Sequence, residues 1–215
     1  MDHRYGLSRS RGLQQSTPAP DASGTSAGEQ NDIVLVDADD VPTGIAAKTE
    51  VHRFGLRHRA ISIFVRNAAG ELLVQRRSKT KYHSGGLWAN ACCSHPRPGE
   101  AALHAAHRRL PEEMGFDCPL VPLFKTHYRA ALDNGYVEDE VVHAFAGTHD
   151  GPVAPDPAEV SEWRWIGFDA LARDCRARPQ AYAVWLRHYL DAHGEAIAAW
   201  LRKAASEDPT QNDAR

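Results

Sequence analysis

The chain lacks the features that most quickly classify a protein. No apolar run approaches the roughly 20 residues needed to span a bilayer, so no membrane segment is expected. Charge of one sign is also scarce: 25 lysines and arginines against 28 aspartates and glutamates leave a net charge of -3. That balance gives no basic footprint for nucleic acid or an anionic membrane surface, although a small anionic ligand needs only a local cluster. Only four cysteines occur in 215 residues: Cys92, Cys93, Cys118 and Cys175. Two are adjacent and the others scattered, which argues against a disulfide scaffold and for reduced thiols in a cytoplasmic protein. No charged start followed by an apolar h-region opens the sequence, so no secretory signal is expected. Residues 1–31 are rich in Pro, Gly, Ser and Gln and have the composition of a disordered leader. With a flexible tail expected over 206–215, one domain is left over 32–205, long enough to bury an ordinary core.

Within that span the patterning alternates between strand and helix. DIVLVDADD reads as a strand that stops near Asp39, before the turn signal VPTG. AISIFVRNAAGELLVQRR gives two apolar runs about the turn Asn67 to Gly70. A helix is predicted from about Glu100 to Gly115, with Pro111 inside it at a cost of about 3 kcal/mol unless the helix kinks there. A second hairpin is predicted about Asp133-Asn134-Gly135, then a short strand in SEWRWIGF and a helix from AYAVWL onward. Strands around a central helix predict an α/β (α+β) domain with a mixed sheet.

Candidate chemistry is concentrated in two stretches. NACCSHP, residues 90–96, sets two cysteines and a histidine together, and on spacing alone Cys93 is open to metal, disulfide or nucleophilic roles. In the other, Glu138 and Glu140 stand two apart in a predicted strand and so share a face. On a solvated face this is tolerable; in a pocket the pair must bind a cation or keep a proton. His52, His58 and His95 would complete a nitrogen and oxygen sphere suited to Zn²⁺ or another transition metal.

Glu100, Arg108, Leu110, Glu112, Glu113, Gly115 and Phe116 have the spacing of the Nudix box, and the segment resembles it. Ser94 replaces its first glycine, and Arg109 stands where a metal-binding glutamate is expected. A Nudix diphosphohydrolase, which holds Mg²⁺ on helix carboxylates, is the alternative reading, and Arg109 opposes it while suiting phosphate contact. PTG, AISIFV, QRR, GLWANACCSHP, RRL, VEDEV and Trp185 occur in the order and spacing of type I isopentenyl-diphosphate isomerases, and the chain resembles that family from about residue 33 to 190. The resemblance implies a Nudix-like fold, a mixed β-sheet sandwiched between helices, and conversion of isopentenyl to dimethylallyl diphosphate. It implies that His52, His58, His95, Glu138 and Glu140 bind a tightly held divalent metal, Mn²⁺, Zn²⁺ or Mg²⁺. Glu113 would hold Mg²⁺ on the substrate, with Lys48, Arg77, Lys81 and Arg109 on the phosphate oxygens.

Moving a double bond requires one proton delivered and another removed through a tertiary cation that water would trap, hence two acid/base groups and a dry pocket. By the resemblance, Cys93 and Glu140 are that pair, with Tyr128 bonded near the carboxylate and Trp185 facing the developing cation. Cys92, Cys118 and Cys175 are expected to be structural. The expected partner is a small isoprenoid diphosphate, with no nucleic acid and no membrane, and the chain a monomer or weak dimer.

Overall fold

The computed structural model describes residues 32–206; the leader expected over 1–31 and most of the tail expected over 206–215 lie outside the described residues. In chain order the strands are β1 (Asp32–Val36), β2 (Pro42–Ala47), β3 (His58–Arg66), β4 (Leu72–Arg77), β5 (Trp88–Asn90), β6 (Cys92–Ser94), β7 (Leu120–Ala131), β8 (Val137–Thr148) and β9 (Val160–Ile166). The helices are α1 (Lys48–Phe54), α2 (Ala102–Met114), α3 (Phe168–Ala177) and α4 (Val184–Ser206).

Both predicted hairpin turns form. Gly70 closes the first by donating its N–H to Asn67 O at 3.0 Å, and Asn134 takes a left-handed φ of 64° in the second. The first hairpin nevertheless opens at once: β3 and β4 share a single pair, Arg66↔Leu72. β3 then runs parallel to β8 from His58↔Glu140 to Arg66↔Thr148, while β6 pairs with its other edge, Ser62↔Cys93. β4 is flanked by β5 and β9, both antiparallel. The divergence makes the sheet mixed, as the pattern predicts, and splits it around β3.

β3 is buried on both faces, with alternate residues serving different helices. Ile61, Ile63 and Val65 pack with Leu110 and Met114 of α2, whereas Ala60 and Phe64 pack with Leu186 and Tyr189 of α4. At the end of β3, Arg66 donates to the Trp200 and Leu201 carbonyls, and its guanidinium lies 4.7 Å from the Trp200 ring centroid. Elements the sequence pattern did not reveal are β2, α1, β5, β6 and α3. α1 is too short for a periodic signal, and such a helix depends on packing, here of Val51 and His52. The VPTG turn is displaced: Asp37 Oδ1 accepts the Asp39 and Val41 N–H groups at 2.9 Å, so the chain reverses before Pro42, which begins β2.

α2 begins at Ala102, slightly later than predicted, because Glu100 is engaged beforehand: its Oε2 accepts the Arg97 N–H at 2.8 Å and its carboxylate takes both ends of the Arg108 fork. Pro111 does not interrupt it. The residue lies on the exposed side, where solvent can serve the His107 carbonyl that proline leaves without a donor. Gly115 ends the helix at φ 78°, and a Cβ there would meet Ala154 O at 2.3 Å. Gly70 has nearly the same φ, 76°, but a Cβ added to it would find nothing within 4 Å.

These two glycines separate backbone strain from collision. Gly70→Ala is expected to cost about 1 kcal/mol, and Gly115→Ala about 3 kcal/mol or more; urea denaturation giving equal costs would contradict the packing described. A second expectation concerns Asp40, at φ 67° in the β1–β2 turn, whose carboxylate meets Arg59 Nε at 2.7 Å, Lys125 Nζ at 2.8 Å and His143 Nε2 at 2.7 Å. Burial would raise this carboxyl, but the three hydrogen bonds prevail and hold it below its ordinary range. A depressed pKa stabilises the fold above the unfolded value and is lost as pH falls through the folded one. Asp40→Asn should therefore cost about 1–3 kcal/mol at pH 7, a gap that closes below about pH 4 in melts across pH.

Candidate active site

The parallel register of β3 and β8 sets His58 beside Glu140. α1 supplies His52, the turn after β6 supplies His95, and Glu138 joins from one pleat along β8. The resulting contacts are His52 Nε2 to Glu138 Oε2 at 3.3 Å, His58 Nε2 to Glu138 Oε2 at 3.8 Å, His58 Nε2 to Glu140 Oε1 at 3.4 Å and His95 Nε2 to Glu140 Oε1 at 3.2 Å. His52, His58, His95 and Glu140 bring their ligand atoms within 4.8 Å of one another, and so do His52, His83 and Glu138, two groups that meet at His52 and suit a bound cation. The E-x-E alternation works as predicted. Asp139 points the other way, to Arg57 Nε at 3.0 Å and His127 Nε2 at 2.7 Å.

The histidine tautomers follow from their outer bonds. His52 Nδ1 is 2.7 Å from Lys48 O and His58 Nδ1 is 2.8 Å from Leu56 O, so each Nδ1–H donates to a carbonyl and each Nε2 turns a lone pair inward. Both Nε2 atoms and Glu138 Oε2 are buried without a hydrogen-bond partner. Orphaned acceptors of this kind are costly unless a cation takes them. The donor set therefore fits a divalent metal. Among protein groups alone, burial and the Glu140 charge push Glu138 well above the carboxylate range. Burial acts the same way on Glu140, but the His58 and His95 rings, 3.4 and 3.2 Å from its Oε1, outweigh it and hold the carboxyl well below.

The same cavity, of about 400 Å³, is lined by Cys93, Glu140, Tyr128 and Trp185. Tyr128 donates its hydroxyl to Glu140 Oε2 at 2.7 Å. Cys93 Sγ is 3.3 Å from both Ser62 Oγ and Asn90 Oδ1. Asn90 is itself fixed, donating to Ser62 Oγ and Ile63 O at 2.9 Å each. Burial pushes the thiol up to about 12, against the opposing Ser62 hydrogen bond, so it stays protonated at neutral pH. The Arg77 guanidinium lies 5.1 Å from the Trp185 ring centroid, a cation already engaging that ring. All four cysteines are free thiols, and Cys92, Cys118 and Cys175 are buried.

Cationic side chains occupy the polar part of the cavity: Lys48, Arg77, Lys81 and Arg109 all line it. Burial, with Lys81 and Arg77 nearby, lowers the pKa of Lys48. Arg109 donates to Glu112 Oε2 and Glu113 Oε1 at 2.6 Å each, so both late carboxylates of α2 are already on one guanidinium. Every residue proposed from the sequence except His52 and His58 lines this cavity, and those two lie directly behind Glu138 and Glu140. Three further residues escaped the sequence reading. His83, in the loop before β5, has Nε2 3.6 Å from Glu138 Oε1; Ser62 lies under Cys93; and Glu159 contacts Lys81. None carries a local signal, because each partner is distant in sequence.

Fold and site together define a Nudix-fold protein with a buried cluster of histidines and carboxylates behind a cavity mouth lined by lysines and arginines. The family model of the NUDIX domain matches residues 56–189. Solved structures agree on the fold: DR0079 from Deinococcus radiodurans has a TM-score of 0.60 at 18% identity, over 80% of this chain and 98% of that one. A MutT NUDIX hydrolase from Burkholderia pseudomallei has a TM-score of 0.51 at 19% identity, over 63% of this chain and 96% of that one. Sequence relatives are far nearer. The isopentenyl-diphosphate Delta-isomerase of Burkholderia multivorans is 51% identical over 75% of this chain and 92% of its own length. That of Pectobacterium atrosepticum is 46% identical over 73% and 87%. The chain belongs to the isopentenyl-diphosphate Delta-isomerase family, within the NUDIX domain proteins.

The paired carboxylates give a test in which the sign of an effect reverses. With divalent cation in excess, Glu138→Gln should melt below the parent, having lost a ligand. In chelator it should melt at or above the parent, having lost a carboxyl that burial already disfavours. Elemental analysis after gel filtration should show metal lost from Glu138→Gln and His52→Ala but kept by Glu113→Gln. Retention by all three would overturn the assigned donor set.

Proposed function

We propose that this chain converts isopentenyl diphosphate to dimethylallyl diphosphate with Cys93 and Glu140 as the acid/base pair. The observation that carries this reading is the placement, in one cavity, of a thiol kept protonated by burial and a carboxylate kept ionised by its partners. Cys93 gives its proton to the terminal methylene carbon, leaving a tertiary cation. Glu140 removes a proton from the neighbouring allylic carbon, and the electron pair of that C–H bond becomes the new double bond. Ser62 and Asn90 aim the thiol, and Tyr128 orients the carboxylate. Trp185 presents its ring to the cavity beside the developing positive charge, an interaction of about 1–2 kcal/mol when desolvated.

His52, His58, His95, Glu138 and Glu140 would hold a tightly bound divalent ion, with Mn²⁺ and Zn²⁺ suiting the mixed donors and Mg²⁺ a further candidate. Bound there, it would supply positive charge that favours the ionised form of Glu140. Lys48, Arg77, Lys81 and Arg109 bind the diphosphate oxygens, and Glu113 takes the Mg²⁺ that accompanies them. Diphosphate hydrolysis is disfavoured because Arg109, a cation that also engages Glu112, stands on α2 where a hydrolase needs a further carboxylate for its ions. The working protein is a monomer or weak dimer, and its four free thiols suit the cytoplasm.

Proton NMR in D₂O with isopentenyl diphosphate and Mg²⁺ tests this directly. The parent should form deuterated dimethylallyl diphosphate, and Cys93→Ala and Glu140→Gln should each lower the rate by about 10²–10⁴. Only the glutamate change should also weaken metal retention. Parent-like turnover by Cys93→Ala removes the thiol from the mechanism.

A further inference from the structure

The carboxylate of Glu159 occupies an unexpected place among the cations of the cavity mouth. It stands just before β9 and lines the same cavity as Arg77, Lys81 and Arg109. Glu159 Oε2 is in contact with Lys81 Nζ, and Oε1 is 3.5 Å from Arg109 Nη2. The same Arg109 Nη2 donates to Glu113 at 2.6 Å, so one guanidinium nitrogen faces two carboxylates. Nothing about the backbone requires this side-chain position. The main chain of Glu159 is fixed separately, its carbonyl accepting the Ser78 N–H at 2.8 Å and its N–H donating to Asp156 O at 2.9 Å. The side chain is therefore free to leave without disturbing the strand that follows.

Cations gathered to bind a dianionic or trianionic group repel one another until it arrives. A single carboxylate between two of them relieves the repulsion, but a diphosphate with its higher charge and many oxygens competes for the same positions. We infer that Glu159 is a placeholder anion: in the free protein it occupies the position on Lys81 and Arg109 that a substrate phosphoryl group takes, and it is displaced when diphosphate binds. The inference rests on the diphosphate-site reading above. It makes Glu159 a positioning residue that touches neither the alkene nor the proton-transfer pair. Its consequence is selectivity by charge, since a weakly charged anion gains too little from Lys81 and Arg109 to displace a tethered carboxylate.

Calorimetric titration of the full chain, carrying its resident ion, with inorganic pyrophosphate and no added Mg²⁺ tests this. Glu159→Gln should bind pyrophosphate about 3- to 10-fold more tightly than the parent, the scale of one partly screened ion pair. Glu159→Asp, which keeps the charge on a shorter stem, should also bind more tightly and serves as the second variant if the first folds poorly. A carboxylate that only braces the loop would, on removal, lower the melting temperature and leave affinity unchanged or weaker. Unchanged or weakened affinity in a folded variant overturns the placeholder role. Failure of parent and variants alike to bind pyrophosphate overturns instead the reading of this mouth as a diphosphate site.

Discussion

The parallel pairing of β3 with β8 is the constraint on which the site depends. It sets His58 opposite Glu140, and the Ser62↔Cys93 pairing on the other edge of β3 then brings the thiol toward the same cavity. A slip of one residue along β8 would turn Glu138 and Glu140 outward and bring Asp139 in. The partners waiting on each side, imidazoles within and Arg57 and His127 without, make that exchange costly in both directions. Register and electrostatics thus enforce one another.

Around this register the site is divided by charge. A buried cluster of histidines and glutamates has unshared acceptors that call for a cation, while the mouth holds lysines and arginines that call for an anion. Cys93 lies between them, aimed by hydrogen bonds and short of a strong base to ionise it. Arg109 separates this molecule from a diphosphate hydrolase in physical terms. Seated on Glu112 and Glu113, it places a cation among the carboxylates of α2 and partly neutralises that face.

What the sequence made legible had local cause. The E-x-E strand follows from a two-residue period, the end of α2 from a glycine that alone tolerates its position, and the hairpins from their turn residues. The clustered histidines and glutamates and the cavity residues were legible as a group through resemblance, which carries long-range information that one strand's pattern does not. Where neither applied, features stayed hidden. α1 forms because Val51 and His52 find a core, β2 because Asp37 turns the chain earlier than Pro42 suggested, and Glu159 meets Lys81 across 78 residues. The opening of the first hairpin was likewise invisible, since the turn at Gly70 dictates how β3 and β4 meet and says nothing about where they go afterward.

The grip of Arg66 on α4 gives β3 a second duty, that of a gauge. One end of the strand carries His58 into the metal cluster, and the other holds the carbonyls of Trp200 and Leu201. Trp185, near the opposite end of that helix, is thereby set at a fixed distance from the ion-binding side chains. Sliding α4 by one turn would move the ring by about 5.4 Å, enough to remove it from the cavity. The position of the Trp185 ring in the cavity is consequently a length measured along one strand and back along one helix, set at the far side of the protein.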